Sequence, residues 1–254
     1  MHIEAISNGM GSQSMMMLVL AAEGKIPAKL SITADTGSEN DCIWSTGERT
    51  SAKEYFDRVI EPYSSENGIN AVFVRVQDKN GKELPAIIDL MRQGKSAGVP
   101  MFGSMGGRNL QSCTGKYKIR AVRQELRRRG AITARTAIGL TIAETERMKI
   151  SDVKWNFHYW PLVDLKLYRA TIQENLVERG IPYLLSTECD MCPHKDKARW
   201  ERTSSIIIEE LSKIEKNLPG LYFTDQRIPL KEAVKNFPSQ PSFFDGCDSG
   251  YCFT

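Results

Sequence analysis

Apolar positions in this chain fall into short runs separated by longer stretches with few breakers. Residues 2–7 (HIEAIS), 29–35 (KLSITAD), 71–76 (AVFVRV) and 134–140 (ARTAIGL) are short, apolar and partly β-branched, and each predicts a buried strand. Residues 12–23, 51–62 and 141–149 predict helices, and WNFHYWPLV (155–163) leads into another from about 164 to 179. Strands alternating with helices predict an α/β fold with a mostly parallel sheet flanked by helices. Between 77 and 115 the pattern loosens into glycines and polar residues, which predicts an insertion or lid. The expected organisation is an α/β domain over 1–185 and a cysteine-containing segment, 186–254, packing on it. No internal repeat or low-complexity segment is present.

The 254 residues suffice for one large domain. A formal net charge of +3 gives no strong polyelectrolyte field, so overall charge does not select a partner. The start, MHIEAIS, lacks a basic region followed by an apolar run, and the apolar runs are too short for a membrane span. The expected location is the cytoplasm, without membrane association. Six cysteines there favour metal or redox use over disulfides.

The stretch ISNGMGSQS (6–14) joins the first strand to the first helix. A glycine-rich turn at a helix N-terminus offers backbone N–H groups and the positive end of the helix dipole to an anion. Gly9 and Gly11 allow close approach, and Ser7, Ser12, Gln13 and Ser14 can add side-chain donors. The loop is neither G-x-x-x-x-G-K-S/T nor G-x-G-x-x-G. A plain strand-to-helix turn is the alternative. Asp35-Thr36-Gly37 ends the second strand, where an acid can reach a ribose hydroxyl or a metal, or merely cap a turn.

Cys189-x-x-Cys192 presents two thiols able to share one metal. Cys113, with either Cys252 or Cys247, completes a set of four. Zinc, an iron–sulfur cluster and unliganded cysteines all fit this spacing. His194 is either a nitrogen ligand or a turn residue beside Pro193. Cys42 stands apart and suits packing. Lys116, Lys118, Arg120, Arg123, Arg127, Arg128 and Arg129 face one acid, Glu125. Lys116, Arg120, Arg123 and Arg127 have the spacing of one helical face, which suits phosphate or solvent. Arg108 can clamp a ligand from the 77–115 lid or cap a loop. Glu144 and Arg147 can line a pocket or form an ion pair three residues apart. Trp155, Trp160 and Trp200 suit the core, and Met15–Met17 helix packing. Only three histidines, 2, 158 and 194, are available for acid–base chemistry.

SNGMGSQS (7–14), ITADTGSEN (32–40), CTGKYKIRAVRQEL (113–126), GLTIAETERMK (139–149), WPLVD (160–164) and CDMCPHKDKARW (189–200) resemble, in order, the motifs of the adenine nucleotide α-hydrolase superfamily. The form they resemble is the phosphoadenosine phosphosulfate (PAPS) reductase-like one, and the resemblance covers nearly the whole chain. It implies a Rossmann-like PP-loop ATP pyrophosphatase that uses ATP and Mg²⁺ to adenylate an acceptor, with Ser14, Lys116 and Lys118 in catalysis. It implies nucleotide contacts from Ser7, Gly9, Gly11, Ser12, Gln13, Ser14, Asp35, Thr36, Gly37, Glu144 and Arg147, to which the lid residue Arg108 adds a candidate contact. The block at Cys113 followed by C-x-x-C also resembles the 4Fe–4S sites of adenylylsulfate reductases and DNA-phosphorothioation sulfurtransferases, with zinc as the alternative metal. Sulfur transfer, or modification of a nucleobase or nucleic acid, follows as the expected chemistry. A nucleic acid, a sulfur-donor protein and a second copy of the chain are the candidate partners. Two departures matter. The loop lacks the acid of the SGGxDS form, and the tail reads GCDSGYCFT in place of an ECGLH-type segment. A PAPS or adenylylsulfate reductase and a low-turnover nucleotide-binding subunit are the rival readings.

Overall fold

The computed structural model describes residues 1–236; Cys247 and Cys252 lie outside the described residues. The chain opens with β1 (His2–Asn8), α1 (Ser12–Ala22), β2 (Leu30–Asp35) and a small ribbon, β3 (Cys42–Ile43) with β4 (Arg49–Thr50). α2 (Ala52–Tyr55) runs through a π turn into α3 (Glu61–Glu66), then β5 (Asn70–Arg75) and α4 (Ile87–Arg92). β6 (Phe102–Gly103) precedes a π-helical segment, Thr114–Ile119, that continues as α5 (Arg120–Arg128). β7 (Thr133–Ile138), a 3₁₀ turn (Ile142–Arg147), β8 (Asn156–Tyr159), α6 (Pro161–Asp164) and α7 (Arg169–Glu178) follow. The last described elements are α8 (Lys197–Arg202), α9 (Ser205–Lys216), β9 (Leu221–Tyr222) and α10 (Leu230–Lys235).

Five strands form one sheet in the order β5-β2-β1-β7-β8, every pair parallel. This is the expected α/β, Rossmann-like architecture. Strand order runs outward one way from β1 through β2 to β5, and the other way through β7 to β8. The crossover reverses between β1 and β7, where an open α/β sheet places its binding crevice.

Each face of the sheet carries its own core. On one face, Ile6 and Ala137 pack with Met15, Met17, Leu18, Tyr55, Phe56, Ile172 and Leu176. α1 is buried all round, which explains its MMMLVLAA sequence and lack of a polar stripe. On the other face, Ala5, Ile32 and Ala134 pack with Tyr117, Leu126, Met191, Trp200, Leu211 and Phe223. The described part of the stretch after residue 186 thus shares a core with the sheet. β9 also pairs antiparallel with β6, in the 77–115 insertion.

Local structure departs from the sequence reading in four places. The helix expected over 141–149 is a 3₁₀ turn, tightened by the Thr141–Glu144 capping box. The helix expected from 164 starts at Arg169, after a break in which Lys166 takes φ 54°. The segment at 114–119 is π-helical, so the row of basic side chains is interrupted: Arg120, Arg123 and Arg127 line a common groove, and Lys116 does not. Trp160 is half-buried at the end of β8 and not in the core, whereas Trp200 is fully enclosed.

Candidate active site

The loop between β1 and α1 is held by its own side chains. Asn8 Oδ1 accepts the Met10 N–H at 2.7 Å, and Ser14 Oγ accepts the Gly9 N–H at 2.9 Å. Met10 takes a left-handed conformation, φ 65°, unusual for a residue with a side chain. Burial of that side chain among the α1-face residues, together with the Asn8 hydrogen bond, sustains it. The result exposes the start of α1. Its N-cap is Gly11, and no side chain among the described residues caps its first turn. Among the described residues Ser14 Oγ is engaged only as an acceptor, so its proton can donate to an anion. Ser12 and Ser14 are buried within this first turn, and Ser7 at the end of β1 lines the adjoining cleft.

Across the loop, Gly11 bridges in parallel to Leu184, and a Cβ added there would touch Thr187 at an ordinary 3.5 Å. Gly139, at the end of β7, abuts Gln13 and Met17 so closely that a Cβ would come within 3.1 Å of Met17 Cε. Gln13 itself turns away from the cradle. Its amide donates to Glu144 Oε2 at 2.5 Å. Glu144 also accepts from the Thr141 N–H and hydroxyl, and pairs with Arg147 at 2.5 Å and Arg169 at 3.5 Å. Glu144 therefore tethers α1 to the β7 turn, and Gln13 and Glu144 act as positioning residues.

Asp35 is similarly saturated. One oxygen accepts the Gly37 N–H at 2.6 Å, and the other accepts both Arg75 donors. Gly37 is held at φ +66°, and a Cβ would lie 2.6 Å from Ala86 Cβ, so glycine is required. With Asp35 and Glu144 both committed to protein donors, the residues flanking the loop do not fit a protein-held Mg²⁺. On the same strand, Thr33 Oγ1 is buried with no hydrogen-bond partner among the described residues. An orphaned hydroxyl on the strand leading to the crevice suits a polar ligand there.

The cysteines come together from distant segments. Cys113, Cys189 and Cys192 line one cavity, with Lys118 and His194. Cys189 Sγ lies 3.4 Å from Thr36 Oγ1 and donates to Glu39 Oε1 at 3.6 Å. Lys118 Nζ is 3.2 Å from the same Glu39 oxygen, and both side chains are buried. Asp190, inside the C-x-x-C, accepts from the Asn40 and Asp41 N–H groups and the Asn40 amide. Burial pushes its carboxyl up to about 6 against those hydrogen bonds. The 38–41 turn thus clamps the C-x-x-C against the end of β2. Among the described residues, no three His, Cys, Asp or Glu side chains converge closely enough to hold a metal ion. The three thiols are soft donors, of the kind that zinc and iron–sulfur centres use.

No known family model matches the chain, and no curated protein matches it.

The remaining candidates divide. Lys118 lines both the cysteine cavity and the cleft beside Ser7, and so joins the two sites. Lys116 is exposed, with its ammonium 5.4 Å from the Tyr117 ring. Arg108 stacks on Phe102 at 4.1 Å and lies 3.3 Å from His194 Nδ1, at the rim of the cysteine cavity and not at the β1–α1 loop. Arg120 donates to the Gln77 carbonyl, Arg123 pairs with Asp152, and Arg128 and Arg129 pair with Glu125. Cys42 is buried, as expected. The sequence reading gives no site role to Glu39, although it lies inside ITADTGSEN, and counts His158 only among the three histidines; the structure sets Glu39 against Lys118 and Cys189 and places His158 on the wall of the cleft.

Proposed function

We propose that this protein binds ATP at the β1–β7 crevice and cleaves it at the α-phosphate, acting as a PP-loop ATP pyrophosphatase of the PAPS reductase-like kind. The observation that carries this reading is the uncapped N-terminus of α1 at the crossover reversal, framed by a turn that keeps the Ser14 proton available. Backbone N–H groups of residues 11–14 and the Ser14 hydroxyl hold the phosphates. Thr33 and the Asp35–Gly37 turn lie toward the base and ribose.

An acceptor nucleophile attacks the α-phosphorus, the bond to the bridging oxygen breaks, and pyrophosphate leaves with its charge. The acceptor loses its proton to solvent or to a side chain of the cleft. Fixed donors aimed at the developing charge supply the catalysis. The Lys118–Glu39 pair places a buried cation between the nucleotide and the cysteines. A 4Fe–4S cluster held by Cys113, Cys189 and Cys192, with Cys247 or Cys252, would supply sulfur-transfer or redox chemistry. The protein acts in the cytoplasm, in sulfur transfer or in modification of a nucleobase or nucleic acid. Among the described residues, no helix is long and apolar enough to cross a membrane.

Release of pyrophosphate from α- and γ-labelled ATP tests this reading. Stoichiometric AMP and pyrophosphate, lowered in Ser14→Ala, supports it. Sulfite from PAPS supports the reductase instead, and binding without turnover supports a nucleotide-binding subunit. Iron and sulfide analysis after anaerobic purification separates the metals: about four iron and four sulfide per chain for the cluster, or zinc with neither.

A further inference from the structure

The cleft beside Ser7 extends well past the phosphate loop. Two adjoining cavities share Ile119, Arg123, Ile138 and His158 as walls. The inner one reaches Ser7 and Lys118, and the outer one, about 390 Å³, reaches Leu140, Lys149 and Trp160. The walls combine two chemistries. Ile119, Ile138, Leu140 and the half-buried Trp160 offer flat apolar surface. Arg123, Arg147 and Lys149 bring positive charge. Arg123 and Arg147 are each matched by an acid, Asp152 and Glu144, while Lys149 is exposed and makes no ion pair among the described residues.

His158 stands where the two cavities meet. Its Nδ1 lies 3.1 Å from the Lys149 carbonyl, which can only accept, so Nδ1 carries the proton. Nε2 is then the acceptor of the ring, and it makes no hydrogen bond among the described residues. Burial, reinforced by Arg123, favours this neutral form, against the Lys149 carbonyl and Asp152.

We propose that this cavity is a second ligand site, for a planar heteroaromatic ring carrying a phosphate. The ring lies against Trp160 and Ile138 and donates a hydrogen bond to His158 Nε2, and the phosphate meets Lys149 and Arg123. Aromatic stacking and charge-assisted contacts are the two interactions that such a ligand offers together. Its use as the acceptor site rests on the adenylating reading above, whereas the pocket stands on its own walls. A free mononucleotide and a residue of a single strand share this chemistry.

The test titrates the full chain, saturated with α,β-methylene ATP, with ribonucleoside monophosphates and with a mixed-sequence hexanucleotide. Tryptophan fluorescence and calorimetry report binding. The expected result is binding of at least one probe, weakened about tenfold or more by Trp160→Leu and by Lys149→Ala, with affinity for the ATP analogue unchanged. Tighter binding of the hexanucleotide assigns the site to a strand, and equal or weaker binding to a free nucleotide. The proposal is overturned if neither probe binds, if the analogue displaces the probe, or if both variants bind like the parent. Trp160→Phe retains stacking, and a parent-like affinity there shows that the Leu variant lost a ring contact and not its fold. If the analogue fails to bind while probe binding still depends on Trp160, the ATP reading fails and the pocket survives.

Discussion

The loop between β1 and α1 and the cysteine cavity are built in different ways. The turn of the loop is held from within, Asn8 on Met10 and Ser14 on Gly9, and only Gln13 and Gly11 reach distant partners, Glu144 and Leu184. The cavity draws on segments near 39, 113–118 and 189–194, joined by a buried ion pair and by Asp190 under the 38–41 turn. A site assembled locally survives changes elsewhere. A site assembled from distant segments is only as stable as the charges that join them, because either charge left alone in the interior is costly.

That contrast can be broken most severely at Lys118. Replacing it by Met leaves Glu39 buried beside Cys189 without its ammonium, and should destabilise the fold by about 3–5 kcal/mol. Denaturant unfolding of Lys118→Met, Glu39→Gln and the double variant measures this. The double variant should recover part of the loss, and strict additivity would show that the pair is not coupled.

Gly37→Ala should cost about 2–3 kcal/mol, combining a positive φ with a contact that forces Ala86 to move. Gly11→Ala, at φ −73° with open contact to Thr187, should change unfolding by less than about 1 kcal/mol. The same chemical change thus separates a fold-determined glycine from one in the loop.

The smallest effect expected is a pH slope at His158. Burial lowers its proton affinity in the folded state below the ordinary value of 6.5. The unfolded chain therefore binds the proton more readily, and stability should rise as pH climbs toward and through that value. Because the raised Asp190 carboxyl works in the opposite direction, the signed change matters: unfolding free energy at pH 8 minus that at pH 5 should be more negative or less positive in His158→Gln than in the parent, and an equal change would remove His158 from the account.

Both sites left marks in the sequence, of different strength. Strand periodicity located β1, β2, β5 and β7 to within a residue or two, since buried parallel strands are runs of apolar residues. The loop was visible because its glycines and serines are contiguous. Gln13 and Asp35 pointed toward a ligand by position, but Gln13 is spent on Glu144 and Asp35 on the neighbouring Gly37 and on Arg75; Glu144 and Arg75 are distant enough in sequence to escape pattern reading. The basic row misled because a π segment shifts its register, a backbone choice with no residue signature at Thr114–Ile119. Glu39 sits inside ITADTGSEN, yet its role was not legible, because its partners, Lys118 and Cys189, meet it only in the fold.

The most direct measurement is calorimetric titration of α,β-methylene ATP into the parent chain and Ser14→Ala. One site per chain is predicted. Loss of the Ser14 hydroxyl and of its grip on Gly9 should weaken binding about 10–100-fold, the value of a hydrogen bond to a charged group. The unfolding midpoint should move little. Equal affinity in the two proteins, or no binding to the parent, would contradict the assignment of residues 9–14 as the phosphate cradle.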